Sequence, residues 1–400
     1  MESTQRTHTG LSSTQALCLM SAVVLVALNL RPSMAAVGPL LSAIRDDVPL
    51  SFGAASLLTM LPVMAMGGAM FFGLRIGQWM GQDRAIAVSL LAIGVATLGR
   101  LWLDSAFQLI LSAVLAGLGI ALIQALMPVL IKSRFSQNIA LCMGLYVSSI
   151  MGGAALAASF SPLVLQSTGS WRAGMAIWAV LALVALLVWM AQRSAPAQLK
   201  PSSAKVGESF FRSPRAWLLG LFFGLGTASY TCVLAWLAPY YVEQGWSEQD
   251  AGLVLGFLTA MEVLSGLIAP ALANRSRDRR LVIAVLLILM AAGFCGLTLI
   301  PRTLPLIWPC LLGMGIGGLF PMSLIVSMDH LDEPRRAGAL TAFVQGIGYL
   351  IAGLSPLLAG MIRDITGSFE GAWWSLLTVI VLMLLIVVRF DPRHYRQRLE

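Results

Sequence analysis

Residues 15–42 read QALCLMSAVVLVALNLRPSMAAVGPLLS. Arg31 is the only charge in this run. A helix needs about 20 apolar residues to cross the roughly 30 Å hydrocarbon core of a bilayer, and the run is long enough. It shows no period-two alternation, so it does not read as a strand of a β-barrel. Eleven more runs of the same kind follow, near 53–74, 84–103, 106–131, 138–165, 172–192, 215–242, 250–273, 281–300, 304–328, 336–362 and 371–389. The pattern predicts an all-α integral membrane protein of twelve transmembrane helices.

Composition leads to the same class. The 400 residues are 58% hydrophobic and 11% charged, with a mean hydropathy of +0.84. Soluble domains carry roughly 25% charged residues, so this chain cannot clothe a globule of its size in polar surface. A soluble enzyme and a disordered chain are excluded. The first run is of full spanning length and holds an arginine, so it does not read as a cleaved signal peptide. Cys18, Cys142, Cys232, Cys295 and Cys310 lie in apolar stretches with no CxxC pair and read as small hydrophobes. His8, His330 and His394 are scattered, so neither a metal cluster nor a cofactor is expected.

The net charge of +8 records orientation in the membrane, not a nucleic-acid partner. An even number of spans puts both ends on one side. Loops on that side hold 20 of the Lys and Arg residues, the opposite side holds 5 (Arg45, Arg100, Arg172, Arg302 and Arg363), and Arg31 lies within a span. Basic residues stay on the cytoplasmic side, so both termini are expected there.

Residues 193–214 hold Pro196, Pro201 and Pro214 among serines and basic residues, and read as a cytoplasmic linker. It divides an N-terminal six-helix bundle, 1–192, from a C-terminal one, 215–400. The halves match at a spacing near 195–200. Gly117-Leu-Gly119-Ile120 parallels Gly313-Met-Gly315-Ile316, Ser161-Pro162-Leu163 parallels Ser355-Pro356-Leu357, Gly169-Ser-Trp171 parallels Gly367-Ser-Phe369, and Pro39 parallels Pro239. Two pseudo-symmetric bundles in a parallel repeat are the plan of major facilitator transporters, whose substrate site lies between the halves near the midplane.

Gly313–Gly318 matches G-x-G-x-x-G, but it lies inside an apolar helix with no strand before it. Close helix packing explains it better than a dinucleotide site. No G-x-x-x-x-G-K-[ST] occurs, so the chain shows no ATPase engine. Arg31 is roughly 20 Å of helix from either end of its run, beyond easy snorkelling range. A charge at that depth costs on the order of 3 kcal/mol on insertion scales, which predicts a watery cavity and an anion beside it. Pro32 removes a backbone donor and kinks the helix there. The alternative is a structural ion pair or an arginine satisfied by carbonyls. Glu262 sits mid-span, twelve residues from both Asp250 and Asn274. It reads either as a proton-coupling carboxyl or as a neutral one at a helix contact. Asn29, Gln124, Tyr146, Tyr230, Trp236, Gln345 and Tyr349 are further intramembrane groups able to orient a small ligand. Trp79, Trp102, Trp171, Trp246 and Trp373 fall near span ends and read as interfacial anchors.

Several segments resemble the cyanate transporter branch of the major facilitator superfamily, which includes a nitroimidazole exporter. They are Leu28–Pro32 (LNLRP), Val37–Leu41 (VGPLL), Ala55–Pro62 (ASLLTMLP), Gly119–Lys132 (GIALIQALMPVLIK), Pro214–Trp217 (PRAW) and Phe343–Gly353 (FVQGIGYLIAG). The resemblance runs through essentially the whole chain. It implies a bacterial inner-membrane secondary transporter moving a small anion such as cyanate by alternating access, with protons or a counter-anion as co-substrate, lipid around it and a monomeric state. An exporter of small aromatic or drug-like compounds is the first alternative. A membrane-embedded enzyme is disfavoured, because one intramembrane carboxyl without a nucleophile or metal set makes a poor catalytic constellation. The chain departs from the superfamily's G-x-x-x-D-x-x-G-R-[KR] loop. Aligned on Gly81, the first half has Leu74, Gln78, Gln82 and Asp83, and the second half has Arg275 at the acidic position before Arg279-Arg280.

Topology is directly testable. Reporter fusions within 193–214 and at the C-terminus are expected to read cytoplasmic, and a fusion near Asp46 periplasmic; a periplasmic linker refutes the twelve-span assignment.

Overall fold

The computed structural model describes residues 13–135, 139–192, 210–273, 278–331 and 334–395. Most of the expected linker, 193–209, lies outside them, as do His8, Arg275 and Arg277. The described chain is helical, with twelve helices long and apolar enough to cross a membrane: Thr14–Ala35, Phe52–Gly73, Gln82–Trp102, Ala106–Ile131, Cys142–Thr168, Trp171–Ala191, Pro214–Glu243, Glu248–Ala273, Arg280–Leu299, Ile307–Asp329, Arg336–Thr366 and Glu370–Val387. We number these spans one to twelve. They agree with the expected runs except in span one, whose helix stops at Leu28.

Leucine, valine and phenylalanine side chains such as Leu111, Phe160, Leu183 and Leu385 are exposed on the outside of the bundle. With so little charge to cover them, these faces belong against lipid.

Packing repeats between the first six and last six spans. Span one packs on five, two on four, three on four and three on six. The matching pairs seven on eleven, eight on ten, nine on ten and nine on twelve do the same. The repeated glycines occupy equivalent contacts. A Cβ on Gly117 would strike Pro62 and one on Gly313 would strike Leu258; Gly119 faces Ser89 and Ile93 as Gly315 faces Leu286 and Met290. Gly169 and Gly367 both turn the chain at positive φ, 68° and 77°. In each case the threonine before the glycine accepts from the serine after it, Thr168 from Ser170 and Thr366 from Ser368. The residues that follow, Trp171 and Phe369, are both buried, 4% and 0% exposed.

Between the halves, span two packs on eleven and span five on eight. The face opposite the chain termini is sealed. Gly38 abuts the Leu234 and Ala235 carbonyls, and Gly252 abuts that of Ala158. Asp364 accepts from the Phe52 and Gly53 amides (3.0 and 2.8 Å), so a carboxylate of span eleven caps the positive end of span two. Glu248 accepts from the Ala43 amide at 3.3 Å. The Phe52 ring lies between Arg45 from the first half and Arg363 from the second, 3.8 and 4.8 Å from its centroid.

Two expected anchors are buried instead. Trp171 donates to Asp47 at 2.9 Å, and Trp373 packs on Phe294 and Tyr240. Trp79 and Trp102 are exposed, as anchors should be. On the terminal face, His330 is also buried. Its Nε2 accepts from Arg215 Nε (3.0 Å), which leaves Nδ1–H to donate to the Val326 carbonyl, and its ring stacks on Tyr395. Burial first, and then Arg215, hold this imidazole neutral, its pKa pushed down to about 4.

The Asp364 cap is expected to help hold the far face shut. Asp364→Ala should speed labelling of a cysteine placed at buried Val37, using an impermeant thiol reagent, by about fivefold, the factor for a cap worth about 1 kcal/mol. Unchanged labelling would show that the remaining seal suffices without it.

Candidate functional site

The break in span one positions the site. Because Pro32 has no N–H, the Leu28 carbonyl cannot be answered by the usual i+4 donor. The helix tightens first: Asn29 N bonds Val26 O and Leu30 N bonds Ala27 O. A short helix, Pro32–Ala35, follows with Arg31 as its N-cap residue. Non-helical backbone at membrane depth must have its polar groups answered. Asn29 Nδ2 donates to Leu25 O at 2.7 Å, and Arg100 Nη1 donates to Ser33 O at 3.0 Å. Gly153 of span five, where a Cβ would collide with the Leu28 carbonyl, lets that corner pack closely. The break thus throws the Arg31 side chain inward.

Arg31 lines a cavity of about 590 Å³ between the halves. The cavity runs from Arg31, Tyr230 and Glu262 towards the terminal face, ending near Met143 and Met328. Its walls are largely apolar, with Phe222, Phe223 and Phe320 among them. The Arg31 guanidinium stands 5.3 Å from the Tyr230 ring centroid and makes one weak contact, Nη1 to Met66 Sδ at 3.8 Å. Tyr146, Tyr230, Tyr349 and Glu262 all lie within its electrostatic reach. Yet among the described residues no carboxylate forms an ion pair with Arg31. Arg31 is 3% exposed and Glu262 2%. Arg31 Nε, Tyr146 Oη, Tyr230 Oη and both Glu262 carboxyl oxygens are buried without a hydrogen-bond partner. Native interiors leave few such groups, and a cluster of them around a cavity marks a place where water or a ligand completes the bonding.

The backbone of Glu262 is closely packed. Gly317 of span ten packs directly on its backbone, and one turn on, Ser265 donates to the Met314 carbonyl at 2.5 Å.

The residues expected at the site separate into groups. Arg31, Tyr230 and Glu262 line the cavity; Tyr146 and Tyr349 stand around Arg31, Tyr349 edge-on to Phe223 at 5.5 Å. Asn29 is spent on the break, holding Leu25 O and, at 3.4 Å, Leu181 O. Trp236 sits in the far-face seal, its indole N–H on Pro356 O at 2.9 Å and its ring against Phe52 and Phe369. Gln124 and Gln345 are half-buried and do not line the cavity, although Gln124 Oε1 is also unpartnered. Ser148, Thr227 and Ser323 and the three phenylalanines do line it. Nothing in their sequence context distinguishes them from residues of a lipid-facing surface. Among the described residues no group of three His, Cys, Asp or Glu is placed to hold a metal ion.

A guanidinium facing a carboxyl across a closed-ended cavity, neither satisfied by the protein, can bind an anion and exchange a proton without forming or breaking any other bond. Similarity to known proteins gives the family of the chain. The sequence profile of the Major Facilitator Superfamily matches residues 19–356. The cyanate transport protein CynX of Escherichia coli (strain K12) is 40% identical over 95% of this chain and 98% of its own. The 2-nitroimidazole transporter of the same organism is 31% identical over 95% of this chain and 96% of its own. Among solved structures, the xylose transporter XylE from E. coli, in an inward open conformation, superposes with a TM-score of 0.76 at 12% identity, covering 94% of this chain and 96% of its own.

Proposed function

The chain belongs to the Major Facilitator Superfamily, and on that premise we propose that it is a secondary transporter of a small anion, cyanate first among candidates. The observation that carries the reading is the unpaired Arg31, buried beside an unpaired Glu262 at the closed end of one cavity. A guanidinium left short of partners in an apolar surround is strongly stabilised by an incoming anion. Tyr146, Tyr230 and Tyr349 supply hydroxyls and rings around that anion.

In this reading the halves 1–192 and 215–400 rock about the site, joined by 193–214. The sealed far face and the cavity towards the termini represent one end of that cycle. Both termini lie in the cytoplasm of a bacterial inner-membrane protein that works as a monomer. The 30% or greater identity to two bacterial transporters over nearly the full chain supports the transport class.

Anion import into a negative-inside cell works against about 2.3 kcal/mol per charge per 100 mV, so uphill uptake needs a compensating flow. Glu262 serves as the proton carrier. Protonated, it leaves Arg31 free for the anion; ionised, it competes for the same guanidinium, so the two events are linked. A second reading, export of small aromatic compounds, is favoured by cavity volume: about 590 Å³ flanked by Phe222, Phe223 and Phe320 exceeds what a triatomic anion fills.

Purified protein in liposomes tests both readings with labelled cyanate and a nitroimidazole panel. Arg31→Ala is expected to weaken cyanate binding by about a hundredfold or more, the loss typical of removing one member of a buried charge pair. Arg31→Lys should recover part of it, since lysine lacks the planar fork. Wild-type affinity in the alanine variant would make Arg31 structural.

Glu262→Gln mimics the protonated acid. It should keep cyanate binding and exchange yet lose accumulation driven by an inward proton gradient. Continued concentration of cyanate by that variant would remove Glu262 from coupling and favour anion exchange.

A further inference from the structure

Arg100 is a second buried cation of the first half, and the transport reading does not use it. It lies two residues before Trp102, which is 69% exposed, yet its own side chain is wholly buried at 0%. Its guanidinium turns inward from the end of span three. Nε donates to Ser112 Oγ at 3.1 Å and Nη1 to Ser33 O at 3.0 Å, while Ser112 in turn donates to Leu109 O at 2.6 Å. Among the described residues no carboxylate pairs with it.

Ser33 O needs this partner because of the break. Val37 N, its usual helical donor, bonds Met34 O instead. A neutral asparagine or glutamine would satisfy one carbonyl without desolvating a charge, so the hydrogen bond alone does not account for an arginine here. The charge has its own effect. It is held through Ser33 O against the segment that carries Arg31, and a charge in a low-dielectric interior is screened less than one in water.

We infer that Arg100 is a positioning residue of the anion site: it fixes the unwound segment behind Arg31 and adds a second positive charge there, biasing the closed end of the cavity towards anions. Arg100 does not line the cavity itself. This rests on Arg31 being the anion-binding group.

The first test needs no substrate. Arg31→Cys, in the full chain, is labelled with an anionic methanethiosulfonate (sulfonatoethyl) and a cationic one (trimethylammonioethyl), after subtracting labelling of the parent chain's own cysteines. Adding Arg100→Met is expected to lower the anionic-to-cationic rate ratio about tenfold, as loss of a buried, poorly screened charge should. Adding Arg100→Lys should keep it near the parent value. An unchanged ratio with methionine, or an equal fall with lysine, overturns the inference. The second test restores Arg31 and measures cyanate uptake in liposomes. Arg100→Met should raise KM about tenfold with Vmax within about twofold; a loss confined to Vmax would make Arg100 a stabilising residue only. If the parent chain moves no cyanate, the substrate reading fails while the labelling ratio still decides Arg100. If Arg100→Met does not assemble, Ser112→Ala, which keeps the charge and removes its anchor, is expected to lower the labelling ratio about threefold, and an unchanged ratio overturns the inference.

Discussion

A single guanidinium at mid-membrane depth sets the terms for the first half of this protein. Arg31 reaches a cavity because span one is broken beside it, and the break is tolerable only because its freed carbonyls are answered. Asn29 reaches back to Leu25 O, Arg100 comes from span three to Ser33 O, and Gly153 of span five admits the Leu28 corner. Spans one, three and five are therefore tied together by the bookkeeping of backbone hydrogen bonds in a medium without water.

The halves share packing and differ in chemistry. Pro62 and Leu258 occupy equivalent places against Gly117 and Gly313. Four residues further along, at the same spacing of helix, stand Met66 and Glu262. Both face Arg31: Met66 Sδ accepts from it at 3.8 Å, and Glu262 shares its cavity. A duplicated frame thus offers the arginine two symmetric neighbours, one a soft and weak acceptor, the other a titratable acid. Span seven, the counterpart of span one, runs unbroken from Pro214 to Glu243 and presents the Tyr230 ring to Arg31. A guanidinium, a carboxyl and an aromatic wall are divided between two bodies that touch along spans two and eleven and spans five and eight.

The seal on the far face uses a different physics from the site. Carboxylates there meet backbone amides at helix starts, as Asp364 does at Phe52 and Gly53, and the Phe52 ring lies between two guanidiniums. Such contacts lie near water, are individually weak and can be remade, which suits the proposed alternating access. The buried glycine contacts between spans eight and ten, with Gly317 on the Glu262 backbone, are of the opposite kind and hold that helix within its own half.

Much of this was legible in the order of residues. Twelve apolar runs, the repeated Gly-x-Gly-Ile and Gly-Ser pairs, and Arg31 and Glu262 as isolated charges inside long spans can all be read by eye, because hydrocarbon tolerates neither a charge nor an open backbone without a reason. Which polar groups meet was not legible. Asn29 and Trp236 look as ligand-like in the sequence as Tyr146 and Tyr349, yet one repairs a helix break and the other closes the far face. Arg100, counted with the loop residues, is buried, and Trp171 and Trp373 are core residues instead of anchors. In a soluble helix the polar stripe declares which face looks inward. Here lipid and core are equally apolar, so a span carries no such stripe, and only the packing of spans against one another decides which side chains turn into the cavity.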